Sequence, residues 1–256
     1  MGARGRGGGL SRRGRGQEGA ALTPIDGTAP PREDGGRDTT SRVERAYAAL
    51  RDMIVTGALA PGSTHLEVEV AEMLNMSRTP VHEAAVMLES HGLVELRARR
   101  GILVRPLSAR DMAEIYEILT ELEPLAAYKL AEAHPGAAVL APLATELDTM
   151  EVCLQAEDRM GWAQADDRFH ALLVRLAGNR RLEEVVSRYS AQVHRARLLT
   201  LTLRPLPSAS NRDHRDLLDA IAAADAKAAQ QIHRRHRLMA KDLLIGLLEK
   251  HGLTWI

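Results

Sequence analysis

Apolar residues recur at helical spacing from residue 41 onward, whereas the residues before that point show no such pattern. The first apolar stripe predicts a helix from Ser41 to about residue 56 and consists of Val43, Tyr47, Leu50 and Ile54. The preceding stretch is rich in glycine, arginine and proline and has few apolar residues to bury. We therefore expect residues 1–40 to form a disordered tail.

The pattern of apolar residues and turn residues over residues 41–106 predicts three helices followed by a hairpin. A turn at Pro61-Gly62 separates the first helix from a short second one, and Ser77 is placed to cap a third helix with its hydroxyl group. Two short apolar stretches then predict strands at 93–96 and 102–104. Three helices and a hairpin, in this order, form a winged helix-turn-helix.

Beyond Pro106 the spacing of apolar residues predicts helices only. The first of these helices has an inward stripe made of Met112, Ile115, Leu119, Leu122, Ala126 and Leu130. Glycine, proline and asparagine breaks, one of them at Gly161, predict further helices at about 137–158, 161–177, 181–203, 209–223 and 226–250. The fold class is therefore mainly α, with an N-terminal winged helix-turn-helix followed by an all-α antiparallel helical bundle over residues 107–256.

Charge and composition narrow the function classes. Lys plus Arg and Asp plus Glu both number 34, so binding of nucleic acid through bulk positive charge is excluded and any such contact is local. The single cysteine, Cys153, excludes an intramolecular disulfide framework and a cysteine-rich zinc module, and it fits a reducing compartment. Because no apolar run is long enough to span a bilayer and no secretory signal is evident, we expect a cytoplasmic protein without a membrane partner.

Short polar and cationic residues open the predicted third helix, where a recognition helix meets DNA. Arg78 is the candidate for contacting a base, because a guanidinium group bonds both acceptors of guanine, while Ser77 and Thr79 suit phosphate oxygens. The loop between the two predicted strands adds a second cationic cluster, namely Arg97, Arg99 and Arg100 beside Gly101. On charge alone, a small helical domain with a solvated arginine hairpin remains an equal alternative.

Three histidines of the helical part lie on apolar helix faces, His170, His214 and His236. Asp166 precedes His170 by four residues, so the two side chains share one face of a helix, and Asp167 is the weaker alternative. A carboxylate and three imidazoles that converge inside a bundle suit Zn²⁺ or another divalent ion. The alternative, favoured by the residues alone, is that each histidine is bonded to a carbonyl or carboxylate in the core.

The predicted metal site does not include three other polar residues of the helical part, His233, Glu121 and Glu123. In the last helix, His233 lies off the apolar stripe, which consists of Ile232, His236, Met239, Leu243 and Leu247. Glu121 and Glu123 are candidates for ligand contacts, but we expect them to face solvent, as most carboxylates do.

The winged part resembles the GntR family of bacterial transcription regulators over about sixty residues. The resemblance lies in the turn TGALAPG, the helix-turn-helix VAEMLNMSRTPV and the helix end and wing LESHGLVELRARRGILV. It implies that the chain binds DNA through the third helix and the wing, and that His82 occupies a DNA-contacting position where the family usually carries arginine. The family's usual arginine in the second helix is Val68 here, and its usual leucine after the Pro-Gly turn is His65.

The helical part resembles the FCD effector domain of the FadR-like branch of that family, in the segments DDRFHALLVRLAGN, DHRDLLDAIAAADAKAA and IHRRHRLMAKDLL. This resemblance implies a divalent ion, zinc first with nickel or manganese as alternatives, held by Asp166, His170, His214 and His236. It also implies a small organic acid as effector. The arginine that many relatives use to hold that acid corresponds to Leu119 here.

The sequence thus predicts a transcription regulator whose affinity for DNA is controlled by an effector at a metal centre, and no enzyme activity. A homodimer of such chains contacts a palindromic operator in double-stranded DNA. The alternative is a metal-dependent hydrolase that uses metal-bound water as nucleophile. That alternative needs an unliganded general base near the ion, and no motif places one.

Overall fold

The computed structural model describes residues 35–251 of the chain, and the side chains of residues 41–251. Its N-terminal third is a winged helix-turn-helix, hereafter the winged domain, whose elements are α1 (Gly35–Val55), β1 (Thr64–His65), α2 (Glu67–Met73), α3 (Arg78–Ser90), β2 (Val94–Arg97) and β3 (Gly101–Val104). The three strands form an antiparallel sheet in the order β1-β3-β2. The predicted fold of this part is confirmed, and β1 is an addition, because two residues are too few to show a periodic pattern.

The rest of the described chain is helical, hereafter the helical domain, and a single 3-10 turn at Leu201–Leu203 precedes its last two helices. Its helices are α4 (Ala109–Glu132), α5 (Ala137–Gln155), α6 (Arg159–Leu176), α7 (Arg180–Leu199), α8 (Ser208–Ala222) and α9 (Ala226–Lys250). Helix α4 packs along α9, and α5 packs along α6. The predicted all-α bundle is thereby confirmed.

Several predicted boundaries differ from the observed ones. Helix α1 begins at Gly35 rather than Ser41, so residues 35–40 extend a helix, while residues 1–34 of the predicted tail lie outside the described part of the chain. The chain turns before Asp158 rather than at Gly161, because the Asp158 carboxylate caps α6 by accepting a hydrogen bond of 2.9 Å from the Gly161 amide. Gly161 therefore lies inside the first turn of that helix.

The core of the winged domain fixes the orientation of α3. Leu50 of α1, Val81 and Leu88 of α3 and Leu93 before β2 are completely buried in one apolar cluster. Because the inward face of α3 is held in this cluster, its opposite face and its first turn are presented to solvent. Residues 77–79 are accordingly exposed.

Three polar contacts join the winged domain to α6 and α7 of the helical domain. Gln192 donates to the carbonyl oxygen of His91 at 2.9 Å, and Arg195 donates to the carbonyl oxygen of Arg105 at 2.6 Å. Arg51 of α1 lies 3.4 Å from the Asp167 carboxylate of α6. The helix carrying the predicted metal ligand Asp166 is therefore in direct contact with the winged domain.

Among the helices between residues 35 and 251, none combines the length and apolar character that crossing a bilayer requires.

Candidate DNA-binding surface and candidate metal centre

The first turn of α3 carries the predicted DNA-contacting side chains in exposed positions. Ser77 is the N-terminal cap residue of α3 by position, but its hydroxyl accepts no capping hydrogen bond, which corrects the predicted side-chain cap. Pro80 lies in the first turn, where a helix has no use for the missing N–H, and packs inward. The amide groups at the start of α3 and the Ser77 and Thr79 hydroxyls thus face outward together.

Arg78 and His82 project from one face of α3 and share a carboxylate on α2. The Glu67 carboxylate lies 2.8 Å from Nδ1 of His82 and 3.8 Å from Arg78. The side chains of Arg78 and His82 are 71% and 53% exposed. Exposed pairs of this kind contribute little to stability, so the Arg78 guanidinium is easily exchanged from Glu67 to another acceptor.

The wing places three exposed arginines beside this helix face. Arg97 ends β2 and donates to Glu95 at 2.9 Å, while Arg99 and Arg100 occupy the turn between the strands. Arg99 has a positive φ of 63°, which holds its side chain at the tip of a tight turn. The predicted cationic cluster of the wing therefore exists as a solvent-facing feature.

Gly101 lets the wing approach β1 closely. Its φ is 88°, and a Cβ atom at this position collides with the carbonyl oxygen of His65. Glycine is therefore required here both by backbone conformation and by space. The wing turn and β1 are fixed relative to each other by this contact.

In the helical domain, the structure brings together the four predicted metal ligands. Asp166 and His170 come from α6, His214 from α8 and His236 from α9, and their donor atoms all lie within 4.8 Å of one another. Oδ1 of Asp166 is 3.6 Å from Nε2 of His170 and 3.4 Å from Nε2 of His214. These separations are those of ligands around a single ion at bond lengths of about 2.0–2.2 Å.

The donor atoms of this cluster have unsatisfied bonding capacity. Oδ1 of Asp166 and Nε2 of His236 are buried with no hydrogen-bond partner among residues 41–251, and all four side chains are at most 7% exposed. Nδ1 of His236 points toward Asp213 at 3.4 Å, which leaves its Nε2 as the free donor. An unpaired buried polar atom is costly, so the residues present fit a cation that accepts these lone pairs.

The charge states of Asp166, His214 and His236 also suit binding of a metal ion. Burial opposes ionisation of Asp166, but the charges of Arg197 and His170 outweigh it and hold the pKa of the carboxyl well below its ordinary value. Burial lowers the pKa of His236 and holds that of His214 well below its usual range. Burial also acts against charge on His170, but the neighbouring carboxylates outweigh it and raise the pKa. One ionised carboxylate and two neutral imidazoles are thus ready to donate electron pairs at neutral pH.

A second layer of ionisable side chains, which the sequence reasoning missed, lies behind His170. Glu123 of α4 is 1% exposed, and its Oε2 is 3.1 Å from Nδ1 of His170 and 3.1 Å from Nε2 of His233. Its Oε1 accepts from Arg237 at 2.9 Å. The expectation that Glu123 faces solvent is therefore wrong, whereas Glu121 is exposed as predicted. A carboxylate behind a liganding imidazole fixes its orientation and raises its basicity.

The inward face of α9 differs from the predicted stripe. His233 is completely buried and Arg237 is 2% exposed, whereas Met239 and Leu243 are 52% and 38% exposed. The prediction was wrong because it placed apolar side chains inside and the basic ones outside. The buried position of Glu123 provides the partner that allows Arg237 to lie in the core.

Asp166 and Asp167 have different surroundings. Asp166 is fully buried in the cluster and accepts a hydrogen bond from Arg197 of α7. Asp167 points away from it, toward Arg51, with 25% of its side chain exposed. Leu119, the position where the resemblance places an arginine in many relatives, is completely buried in the apolar core.

Glu123, His170 and His233 form a second group of converging donors. Within this group both oxygens of Glu123 have partners, Oε1 in Arg237 and Oε2 in His233, and burial lowers the pKa of His233 to about 3, so that His233 is neutral. The group that contains Asp166 is therefore the stronger candidate for an ion site, because Oδ1 of Asp166 has no hydrogen-bond partner in the described part of the chain.

A helical periodicity that includes polar residues finds the missed positions. Glu123 follows the buried Leu119 by four residues and precedes the buried Ala126 by three. His233 lies four residues after the buried Ala229 and three before His236. Counting charged residues as candidates for the inward face at these spacings would have assigned both to the core.

Comparisons with known proteins agree with this architecture. The family described as bacterial regulatory proteins, gntR family, matches residues 42–104, and the FCD domain matches residues 114–238. An HTH-type transcriptional regulator of Agrobacterium vitis is 43% identical over 155 residues, which cover 59% of this chain and 91% of the relative. A probable D-xylose utilization operon transcriptional repressor of Paenarthrobacter nicotinovorans is 30% identical, over 77% of this chain and 89% of the relative.

A solved structure gives the same result. The crystal structure of a putative transcriptional regulator GntR from Rhodococcus sp. RHA1 has a TM-score of 0.68 and 27% identity, covering 80% of this chain and 98% of that one. The family and these relatives are transcription regulators rather than enzymes, and nothing in the comparisons supports the hydrolase alternative. The chain belongs to the GntR family of DNA-binding transcription regulators and carries the FCD domain of one of its branches.

Proposed function

We propose that the protein is a ligand-responsive regulator, in which a divalent ion and an effector bound in the helical domain control the affinity of the winged domain for DNA. The observation that supports this most is the convergence of Asp166, His170, His214 and His236 on one buried point, where two donor atoms, one on Asp166 and one on His236, have no hydrogen-bond partner among the described residues. Coupling of about 1–3 kcal/mol between two sites changes DNA occupancy several-fold or more.

The proposed ion is zinc, with nickel or manganese as alternatives. One carboxylate oxygen and three imidazole nitrogens suit these ions better than calcium or magnesium, which prefer oxygen ligands alone. When bound, such an ion supplies a Lewis-acidic centre with room for a further oxygen ligand. Asp166 and the three imidazoles hold it, while Glu123 and Asp213 orient His170 and His236 from behind.

The proposed DNA contacts lie on the winged domain. Arg78 contacts base edges in the major groove, and Ser77 and Thr79 with the first amides of α3 bind phosphates. His82 lies on the same face of α3 and adds a further polar contact. The wing arginines bind the backbone or the adjacent minor groove; they are Arg97, Arg99 and Arg100, on a turn shaped by Gly101.

We also propose that two copies associate and contact a palindromic operator, since two-fold proteins match two half-sites one helical turn apart. Helix α4 supports this, because Ile118 and Leu125 lie seven residues apart on one side of it and are 37% and 36% exposed. Large apolar side chains on one face of a helix are typical of an interface.

The proposed function is tested with the purified full chain. Metal content is measured by elemental analysis, and binding to DNA from upstream of its own gene is measured by fluorescence anisotropy before chelation, after chelation and after zinc is restored. We expect about one ion per chain and a change in DNA affinity on chelation that zinc reverses.

Two variants and one control make this test specific. His214→Ala and His236→Ala are expected to lose stoichiometric metal and the chelation response while keeping DNA binding. His251→Ala, at an exposed histidine after α9, is expected to behave as the wild type. Unchanged metal content in both cluster variants would contradict the proposed centre.

A further inference from the structure

A cavity of about 270 Å³ adjoins the proposed metal centre. It is enclosed by the end of α7, the 3-10 turn, the starts of α6 and α8, and the middle of α9. His236 and Arg197 line it and also belong to the metal centre. A molecule in this cavity therefore lies against the ion site on one side.

Most of the cavity wall is apolar. Trp162 and Leu201 form part of it, and Leu206, Met239 and Leu243 stand along it with 37%, 52% and 38% of their surface exposed. Large apolar side chains are normally exposed singly rather than grouped around one opening. The wall is thus suited to covering an apolar body and offers little to a polyhydroxylated molecule.

One cation of the cavity lacks a counter-charge. Nε of Arg204 donates to the Thr200 hydroxyl at 2.9 Å, but its Nη2 is buried and has no hydrogen-bond partner in the described residues. Burial, together with the charge of Arg197, lowers the pKa of Arg204 to about 10, which still leaves it protonated at neutral pH. Arg159 donates to the carbonyl oxygen of Arg204 at 2.7 Å and so fixes this arginine at the cavity.

The buried charges of the region leave an excess of positive charge. The two buried carboxylates, Asp166 and Glu123, are matched by the guanidinium groups of Arg197 and Arg237, and the carboxylate that lines the cavity, Asp213, pairs with Arg235 at 3.1 Å. Arg204 forms no ion pair with a described carboxylate, and a divalent ion at the proposed centre adds two further charges. An anion in the cavity offsets this excess, because uncompensated charge in a protected site is unfavourable.

We propose that this cavity binds an amphipathic organic anion, with a carboxylate head held by Arg204 beside the metal centre and an apolar body packed on Leu206, Met239 and Leu243. The inference rests on the proposed function and deepens it, because it names the chemical class of the effector. Polyhydroxylated sugar acids lack the apolar body that this wall covers. The planar guanidinium group of Arg204 matches a carboxylate through two parallel hydrogen bonds.

The test is calorimetric titration of the full chain, both chelated and zinc-loaded, with three named probes. Octanoate carries a head and an apolar body, acetate carries the head alone, and gluconate carries a head with a polyhydroxylated body. We expect octanoate to bind at least about tenfold more tightly than either of the others, because only octanoate buries apolar area on the wall. Equal binding of gluconate and octanoate, or no binding of octanoate in either state, would overturn the proposal.

Variants separate the cavity from the metal centre. Arg204→Gln is expected to weaken octanoate at least about tenfold, since a charge-assisted hydrogen bond is lost. Arg212→Gln, an exposed arginine on α8, is the matched control and is expected to have no effect. Leu243→Gln, at a partly exposed position that tolerates a polar side chain, is expected to weaken octanoate even if Arg204→Gln fails to fold.

The outcomes distinguish the two proposals. Octanoate binding that depends on Arg204 and Leu243, in a full chain that does not take up zinc when zinc is supplied, supports this inference and contradicts the proposed metal centre. A chain that holds metal but binds octanoate equally well with and without these substitutions contradicts this inference and leaves the metal centre intact.

Discussion

Arginine occupies opposite environments in the two domains. In the winged domain, Arg78 has 71% of its side chain exposed and lies 3.8 Å from its nearest carboxylate. In the helical domain, Arg195, Arg197 and Arg237 are 1%, 7% and 2% exposed. A surface arginine exchanges water for a phosphate or a base at little cost, whereas a buried one requires a fixed partner. The difference separates a surface suited to transient contacts with DNA from an interior suited to holding a specific ligand.

The largest expected effect concerns a buried arginine, Arg237, and the stability of the fold. Arg237→Met leaves the Glu123 carboxylate buried without its 2.9 Å partner, and we expect a loss of about 3–5 kcal/mol in the free energy of unfolding, measured with urea. The control is Arg234→Met on the same helix, because Arg234 pairs with Glu121 at the surface. We expect the control to leave the midpoint of unfolding unchanged. Equal losses in both variants would mean that burial does not distinguish these pairs.

The second prediction concerns the exposed side. Arg78→Ala is expected to lose about 1–3 kcal/mol of binding free energy for the operator and to lose preference among sequences, because a base contact is removed. Arg99→Ala, at the tip of the wing, is expected to weaken operator and random DNA alike. Anisotropy titrations on both kinds of DNA at fixed salt measure this difference. Retention of full operator affinity by Arg78→Ala would show that α3 does not contact bases through this residue.

The third prediction uses glycine to compare the rigidity of the domains. Gly101→Ala forces a Cβ atom onto the His65 carbonyl at a φ of 88°, so we expect a loss of about 1–3 kcal/mol in stability and weaker DNA binding. Gly246→Ala, at an exposed position inside α9 with free space around it, is expected to gain about 0.5–1 kcal/mol. Thermal unfolding of the two variants gives the signs. A stabilised Gly101→Ala would contradict the close approach of the wing to β1.

The smallest expected effect lies at the junction between the domains. Arg51→Ala removes a partly exposed ion pair with Asp167, and we expect a stability change of only about 0.2–1 kcal/mol. We expect a clearer change in the ratio of DNA affinities with and without zinc, because this pair connects α1 to the helix that carries Asp166. Arg45→Ala, exposed on the same helix, serves as the control. An unchanged ratio would place the coupling elsewhere.

The fold was largely predictable from the sequence, since apolar spacing is strong in both domains. The helices α1 and α3 follow from stripes such as Leu50 with Ile54 and Val81 with Leu88, whose members are completely buried. Element ends were less predictable, because a cap depends on local geometry. Asp158 begins α6 by capping it, although Gly161 is the stronger break in a pattern of residue types.

The candidate site was predictable only in part. Asp166 and His170 have a helical spacing that places them on one face, and the structure brings His214 and His236 to them from other helices. Glu123 was expected to face solvent because single charged residues rarely lie in a core, and Arg237 was not among the candidates for the inward face of α9. The two side chains lie on different helices, α4 and α9, and each is buried because it pairs with the other. A local sequence pattern does not reveal a pair of residues that are 114 positions apart.

Asp166 and Asp167 are consecutive residues of α6, and their side chains point in different directions. Asp166 points toward the histidine cluster, and Asp167 points toward Arg51 of α1. Successive residues of a helix are rotated by about 100° around its axis, so two adjacent carboxylates contact partners on two different sides of the helix. Under the proposed function, an ion held by Asp166 and the ion pair between Asp167 and Arg51 therefore act on the same helix, so a shift of α6 on ion binding is transmitted to the winged domain with no other element between them.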